Sequence, residues 1–429
     1  MRKALCYSIL LIAGIVPAYT QLRLEAELRP RVLLDNGYSI PKPADSPTHL
    51  YISQRTRLNT LFTGEKLETF ISIQDVRIWG DDDNFKASGM LGNTQSVSLH
   101  QGWFLLRSSD WFSLKVGRQL FSYDDQRILS ARNWNDYQVT YDAVLARFGS
   151  GINRVDLGIS WNAESSKHTI LPRGKLKTLD FLRYERDAGS LKWSAIALVT
   201  GTPVSDTADD IWYRATLGTN LEFSEEGTQV RASFYRQSHL NQAGGKMSAF
   251  CFSLNYGIEI IPGRLIGSAG LDFLSGQDDI TASPEYRETD HAFELFYGRR
   301  HGWYGYMDYF STMPSQGLQD YMVQLKYTFS EAASLAADYH YFRLAARMAD
   351  PGQPGVAMIK ELGSELDVTL NWKLSEVAAL QAGYSFFSAT NTLEAIRGVR
   401  GTELKFPQFV YLMVTVKPSF LFGHASDGG

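Results

Sequence analysis

Hydrophobic and polar residues alternate along most of this chain from about residue 50 onward, in segments of roughly ten residues. Because successive side chains of a β-strand point to opposite faces, the alternation predicts strands with one apolar and one polar face. Segment 365–373 is a clear example, with Leu366, Val368, Leu370 and Trp372 on its apolar face and Glu365, Asp367, Thr369, Asn371 and Lys373 on its polar face. A tilted strand of ~9–11 residues is long enough to cross a bilayer.

The gaps between these segments alternate between short and long. The short gaps lie at 63–66, 108–110, 149–151, 188–190, 224–227 and 261–263, and the long gaps include 80–96, 120–139, 162–177, 274–288, 346–361 and 388–405. Short periplasmic turns and long extracellular loops are typical of outer-membrane barrels. We therefore predict an all-β fold, namely a single large antiparallel transmembrane β-barrel over residues 21–422.

The strand number follows less directly from the pattern. About twenty candidate strands can be counted between Leu22 and Val416, but segments 97–107 and 178–187 alternate poorly, so the prediction is about 18 to 20 strands. An even number places both chain ends on the periplasmic side. Because hydrocarbon does not tolerate an open strand edge, the sheet is expected to close on itself.

The composition excludes a helical membrane protein. Mean hydropathy is −0.20, and no apolar stretch of about 18 residues follows the N-terminus. The aromatic content of 13% suits aromatic girdles at both membrane interfaces. A soluble β-sandwich would also alternate, but its turns would not switch so regularly between short and long, and it would not account for an export signal.

Residues 1–20 are predicted to be that export signal. Arg2 and Lys3 precede an apolar stretch from Leu5 to Val16, and small residues follow it. Cleavage would remove two positive charges from a formal net charge of −4 and would leave Cys251 as the single cysteine. No intramolecular disulfide is then possible, and Cys251 is interpreted as a small filler residue of a strand. Residues 423–429 are predicted to be a flexible tail.

The most distinctive motifs lie between about residues 50 and 148. They read Gln74-Asp75-Val76-Arg77-Ile78-Trp79, Val116-Gly117-Arg118-Gln119, Tyr123-Asp124-Asp125-Gln126-Arg127 and Asn133-Trp134. In these motifs the chain resembles the alginate-export porin family of bacterial outer membranes. The resemblance implies eighteen strands and, in the family's version of the function, secretion of a polymer. Uptake or leakage of small acidic or neutral sugars is equally compatible with the sequence. Asp124 departs from the family pattern, which more often has Gly there, and this changes the expected backbone of the loop.

Arginine is the candidate pore-lining residue. Strand parity places Arg55 and Arg57 on the polar, lumen-facing side of their strand. An Arg-lined lumen would select anions by its field and by two-pronged hydrogen bonds to carboxylates. The complete set of predicted pore-lining residues is Arg55, Arg57, Asp75, Arg77, Arg118, Asp125, Arg127, Trp134 and Arg147. The alternative is that these arginines pair with acidic neighbours and only stiffen the barrel wall.

Four members of this set raise two separate questions. Parity groups Arg118 with Leu114 and Val116, so this side chain would lie beyond the membrane edge of its strand. Asp125, Arg127 and Trp134 lie in the long gap 120–139, whose charges and aromatic rings favour a loop folded into the lumen, where it would set the pore radius. The alternative is an ordinary surface loop, which is where loops usually lie.

Other functional classes find little support in the sequence. The chain has no GxSxG motif, no phosphate-binding loop, no dinucleotide fingerprint and no basic tract, so neither an enzyme nor a nucleic-acid-binding protein is expected. Acidic clusters at 81–83 and 278–279 are interpreted as solvated loops, and no metal or cofactor is expected.

We therefore predict a monomeric outer-membrane porin that passes hydrophilic solutes, including anionic sugars, by passive diffusion. Its partners would be outer-membrane lipid, saccharide solutes and, on the family resemblance, periplasmic export machinery. The alternative is a plugged structural or adhesive barrel that transports nothing.

Overall fold

A computed structural model describes residues 21–80, 97–162, 176–204, 210–281 and 283–422. This part of the chain forms a closed antiparallel barrel of eighteen strands. The predicted export signal, the predicted tail and the acidic cluster at 81–83 lie outside the described residues.

The barrel strands follow one another in chain order. They are β1 (Gln21–Asn36), β2 (His49–Thr63), β3 (Leu67–Ile78), β4 (Val97–Ser109), β5 (Phe112–Gln119), β6 (Tyr141–Phe148), β7 (Asn153–Trp161), β8 (Thr178–Asp187), β9 (Leu191–Pro203), β10 (Ile211–Glu225), β11 (Thr228–Leu240), β12 (Lys246–Ile261), β13 (Leu265–Leu274), β15 (Leu318–Ser330), β16 (Ala333–Arg343), β19 (Glu361–Lys373), β20 (Ala378–Ala389) and β21 (Gln408–Val416), which β22 (Ser419–Phe422) continues.

Shorter elements lie between these strands. They are β14 (Thr289–Asp290), β17 (Ala349–Asp350), β18 (Gln353–Ala357) and the helices Pro284–Arg287 and Asn391–Ile396. Within the described segments, no helix has the length and apolar character that crossing a membrane requires.

The sheet closes where its first strand meets its last. β1 pairs with β2 on one side and with β21 and β22 on the other, and Leu22 lies opposite Phe422. Both ends of the described chain therefore lie together on the side of the short turns. The closed sheet leaves no strand edge in the hydrocarbon, as expected for a barrel that crosses the outer membrane.

The alternation predicted from the sequence is present in the strands. On β10, Thr216 is 1% exposed and faces the interior, whereas Leu217 is 59% exposed and faces outward. On β19, Glu365 and Asp367 are buried on the inner face. The apolar face of each strand therefore meets lipid, and the polar face meets the lumen.

The strand count falls at the lower end of the predicted range, because one gap is longer than the pattern indicates. The gap expected at 274–288 runs from residue 275 to residue 317, as far as the start of β15. The six predicted short gaps all fall at connections between strands on one side of the barrel.

The core of the molecule lies inside the barrel. Residues 120–140, here called the first inner loop, bury Phe121, Ile128 and Leu129. Residues 275–317, here called the second inner loop, bury apolar side chains such as Leu295 and Phe310. The two loops pack against the inner wall and against each other, so the inward fold predicted for the first loop is confirmed.

Candidate transport pathway inside the barrel

Arginines of β1 hold one end of the first inner loop against the barrel wall. Arg29 donates to the carbonyl of Asn133 (2.7 Å) and to Asp136 Oδ1 (2.8 Å). Arg31 donates to the carbonyl of Trp134 (3.1 Å) and to Asp136 Oδ2 (3.2 Å). Both arginines are buried, so their charge fixes the loop and does not face open water.

The two arginines predicted on β2 serve the same purpose. Arg55 donates to Glu27 Oε1 through Nε (2.6 Å) and to the side chain of Asn133 through Nη2 (3.1 Å). Arg57 donates to Gln74 and to Gln138 Oε1 (2.7 Å). Both side chains point inward, as strand parity indicates, but they are only 1% and 7% exposed. They anchor the loop and contribute little open pore surface.

The same loop reaches the far side of the lumen through Arg127. This guanidinium forms a two-pronged ion pair with Asp272 on β13, at 2.5 and 2.9 Å, and also pairs with Asp125 (2.9 Å). It donates to the Tyr304 hydroxyl (2.9 Å) and lies 4.3 Å from the centre of the Trp303 ring. The first inner loop therefore crosses the lumen and is fixed at both ends.

Arg147 lies in the lumen near the short-turn end of β6. It forms a two-pronged ion pair with Asp156 on β7, at 2.7 and 2.9 Å. Tyr123 of the first inner loop donates its hydroxyl proton to the same carboxylate (2.9 Å). Burial and the neighbouring Asp156 raise the pKa of Tyr123, so its hydroxyl stays protonated as a donor.

Asp75 and Arg77 lie on the outer face of the barrel, contrary to the prediction. Gln74 and Val76 are the buried, inward residues of this part of β3, and the alternation turns their neighbours outward. Arg77 Nε pairs with Asp75 Oδ2 at 2.6 Å. Neither residue lines the lumen.

Arg118 also faces outward, which corrects its place in the predicted set. Its neighbour Gln119 is fully buried and points inward. Arg118 forms a two-pronged ion pair with Asp142 on β6, at 2.9 and 2.7 Å, and both side chains are exposed on the outside. Arg118 therefore shares the outward face of β5 with Leu114 and Val116, as strand parity indicates.

Trp134 joins the two inner loops through stacked rings. Its ring lies parallel to that of His301 (3.9 Å, 7°), and His301 in turn stacks on Tyr306 (4.6 Å, 12°). Arg31 covers the Trp134 ring at 4.2 Å. The stack therefore runs from the barrel wall through the first inner loop into the second.

Beside this stack lies a cavity of about 420 Å³ with a strongly cationic wall, here called the cationic cavity. Its arginines are Arg29, Arg132, Arg299 and Arg300, and Asp308 is the acidic residue of its lining. Arg29 is neutralised by Asp136, whereas Asp308 accepts from Tyr38 and lies 3.1 Å from His301 Nδ1.

The other three arginines are held by backbone carbonyls. Arg132 donates to backbone carbonyls of the second inner loop, Arg299 to the carbonyl of His301, and Arg300 to the carbonyl of Ser311. Among the described residues, none of the three forms an ion pair with a carboxylate. Burial and the charge of Arg300 lower the pKa of Arg132, because both disfavour a charged guanidinium group.

Sequence reasoning did not find Arg299 and Arg300. Both lie in the second inner loop, beyond the predicted end of the gap at residue 288. The run Arg299-Arg300-His301-Gly302 interrupts the alternation and could have indicated the loop. No group of His, Cys, Asp and Glu side chains in the described part of the chain could hold a metal ion.

The motifs that fix the first inner loop are also the part of the chain that matches a known family. Residues 33–161 match the alginate export family. This alginate-export region extends from β1 to β7 and contains the first inner loop and the arginines of β2 that hold it. No curated protein matches the chain.

Solved outer-membrane channels share the fold. OccAB1 of Acinetobacter baumannii has a TM-score of 0.62 at 9% identity, over 93% of this chain and 97% of that one. OccK11 (OpdR) of Pseudomonas aeruginosa has a TM-score of 0.59 at 12% identity, over 93% and 96%. With the alginate-export region, the fold identifies an outer-membrane porin-like barrel.

Proposed function

We propose that this barrel is a passive outer-membrane channel that prefers small, hydrophilic anions such as acidic sugars. The observation that carries the proposal is the trio of Arg132, Arg299 and Arg300, which line one cavity inside the lumen and form no ion pair with a described carboxylate. An anion in this cavity would offset the repulsion between Arg132 and Arg300. Arg also offers paired donors that match a carboxylate.

The surroundings of the trio suit a sugar acid. Asn133, Asn135 and Gln381 add hydrogen-bonding amides to the cavity wall, and Tyr306 and Tyr411 add aromatic surface. One solved channel of the same fold, OpdK of Pseudomonas aeruginosa, was crystallised with vanillate, which is itself a small carboxylate. The pathway lies within one barrel, and we therefore infer that the monomer is the functional unit.

The second candidate is a plugged barrel without transport. It is favoured by the extent to which the inner loops occupy the lumen and by the stack of Trp134, His301 and Tyr306 that joins them. The two candidates differ in a simple respect, since a plugged barrel conducts no ions across a bilayer.

Reversal potentials in planar bilayers under a salt gradient test the proposal. The wild-type barrel should prefer anions, and the double variant Arg299→Gln/Arg300→Gln should lose most of that preference. A unit charge about 4 Å from a permeating ion is worth ~1 kcal/mol even in water, so we expect at least about a fivefold change in the permeability ratio. Arg264→Gln, at an exposed turn between β12 and β13, is the matched control.

A further inference from the structure

A second cavity lies on the extracellular side of the inner loops. It has a volume of about 360 Å³ and is lined by Asn241 and Gln242 of the β11–β12 connection, and by Glu294 and Thr312 of the second inner loop. The cationic cavity extends toward the periplasm, because Gln381 and Met413 of its lining lie in the periplasmic halves of β20 and β21.

Arg300 lines both cavities. Its guanidinium donates to the carbonyls of Ser311 and Phe296, so the second inner loop itself holds the side chain in place. A solute that moves from one cavity to the other through this part of the lumen meets Arg300 on the way. Arg132 approaches the same region, since it also donates to the carbonyl of Phe296.

The loops around this crossing are tied together. The backbone N–H of Arg299 donates to the carbonyl of Gln126 (2.8 Å), and Trp303 Nε1 donates to the carbonyl of Asp125 (3.0 Å). The buried pair of Arg127 and Asp272 fixes the same segment to the wall. Removing one partner of a buried ion pair is strongly destabilising, so the first inner loop is held firmly against the wall.

We propose that Arg300 divides the pathway into two small compartments, and that the solutes are monomeric or dimeric sugar acids and not polyuronate chains. The inference rests on the proposed function and narrows its substrate class. Each compartment is at the lower end of the range of roughly 300–1,000 Å³ that holds one small ligand. An extended polymer would have to occupy both compartments and the crossing at the same time.

Release from liposomes of defined solutes tests the size limit. Purified barrels are reconstituted into vesicles loaded with radiolabelled glucuronate, with its dimer, or with longer uronate oligomers. The monomer and the dimer should leave the vesicles, and the longer oligomers should leave at least about tenfold more slowly, which corresponds to ~1.4 kcal/mol of additional barrier. Vesicles that are loaded with the same solutes but contain no protein give the background leak.

A variant tests whether glucuronate passes Arg300. Arg300→Gln should slow glucuronate several-fold relative to neutral glucose, while Arg264→Gln should leave that ratio unchanged. Release of the longer oligomers at the monomer's rate would overturn the size limit and leave the proposed anion channel in place. Absence of release of every solute, including glucose, would overturn the proposed function and this inference with it.

Discussion

Arg127 and Asp272 form a two-pronged ion pair inside the barrel, with N–O distances of 2.5 and 2.9 Å. Arg127 belongs to the first inner loop, which leaves the wall after β5, whereas Asp272 lies on β13. The pair therefore fixes the first inner loop to β13, across the lumen from β1 and β2, whose arginines hold the other end of the loop. Both side chains are almost completely buried, at 2% and 1% exposure.

Removing one partner of this pair should destabilise the barrel. We expect Arg127→Ala to lower the free energy of unfolding by about 3–5 kcal/mol, because it leaves the Asp272 carboxylate buried without its partner. Urea unfolding in detergent micelles, followed by tryptophan fluorescence, measures the change. Arg231→Ala removes an exposed pair with Glu222 and should cost at most about 1 kcal/mol. Equal losses in the two variants would contradict the role of Arg127 as a buried anchor.

The ring stack of Trp134, His301 and Tyr306 should limit the motion of the two inner loops relative to each other. Trp134→Ala removes the ring that contacts His301, Arg31 and Tyr411, so we expect larger fluctuations of the single-channel current. The loss of packing should also cost up to about 3–5 kcal/mol of stability. Trp79→Leu, at an exposed position near the barrel rim, is the control. Equally quiet currents in the wild type and in Trp134→Ala would show that the stack is not needed to hold the loops.

The outward-facing ion pair of Arg118 and Asp142 should have no influence on solute selection. The double variant Arg118→Gln/Asp142→Asn keeps the outer face neutral and removes both charges together. We expect stability to change by at most about 1 kcal/mol, as for charged residues near the membrane interface, and the reversal potential to stay at the wild-type value. A shift as large as that of the Arg300 variant would place Arg118 on the pathway after all.

Asp278, near the start of the second inner loop, should stay ionised at low pH. Burial acts to raise the pKa of Asp278, but the hydrogen bond from Arg347 and those from the Ile280 and Thr281 backbone outweigh it and lower the pKa to about 2. A carboxylate whose pKa is lowered in the folded state contributes to stability at pH values above its ordinary pKa. It loses that contribution as the pH falls through the folded-state pKa of about 2. Carbon-13 NMR of labelled carboxylates, with Asp278→Asn as the assignment control, should show this midpoint. A midpoint near 4 would contradict the pairing.

Much of the fold could be predicted because each barrel strand has one lipid face and one lumen face. Alternation at positions such as Leu217 and Thr216 therefore marks strands directly, and turn lengths mark the two sides of the membrane. The charged and aromatic segment 120–139 also indicated the first inner loop correctly. These are local signals, which a single sequence contains.

The candidate site could be predicted only in part, because its contacts join distant residues. Parity places Arg55 on the inner face, but it does not reveal that Asn133 and Glu27 occupy its donors. The assignment of Asp75 and Arg77 to the lumen was wrong because a shift of one residue in strand phase exchanges the two faces. Arg299 and Arg300 were missed because the predicted gap ends at residue 288, although the polar run that contains them interrupts the alternation.

Anion conduction is tested most directly by the single-channel current in a planar bilayer under a salt gradient, with and without glucuronate. We expect an open channel that prefers anions and is interrupted briefly by glucuronate in the wild type, with fewer interruptions in Arg299→Gln/Arg300→Gln. A barrel that conducts no current, or one that prefers cations, would contradict the proposed anion channel.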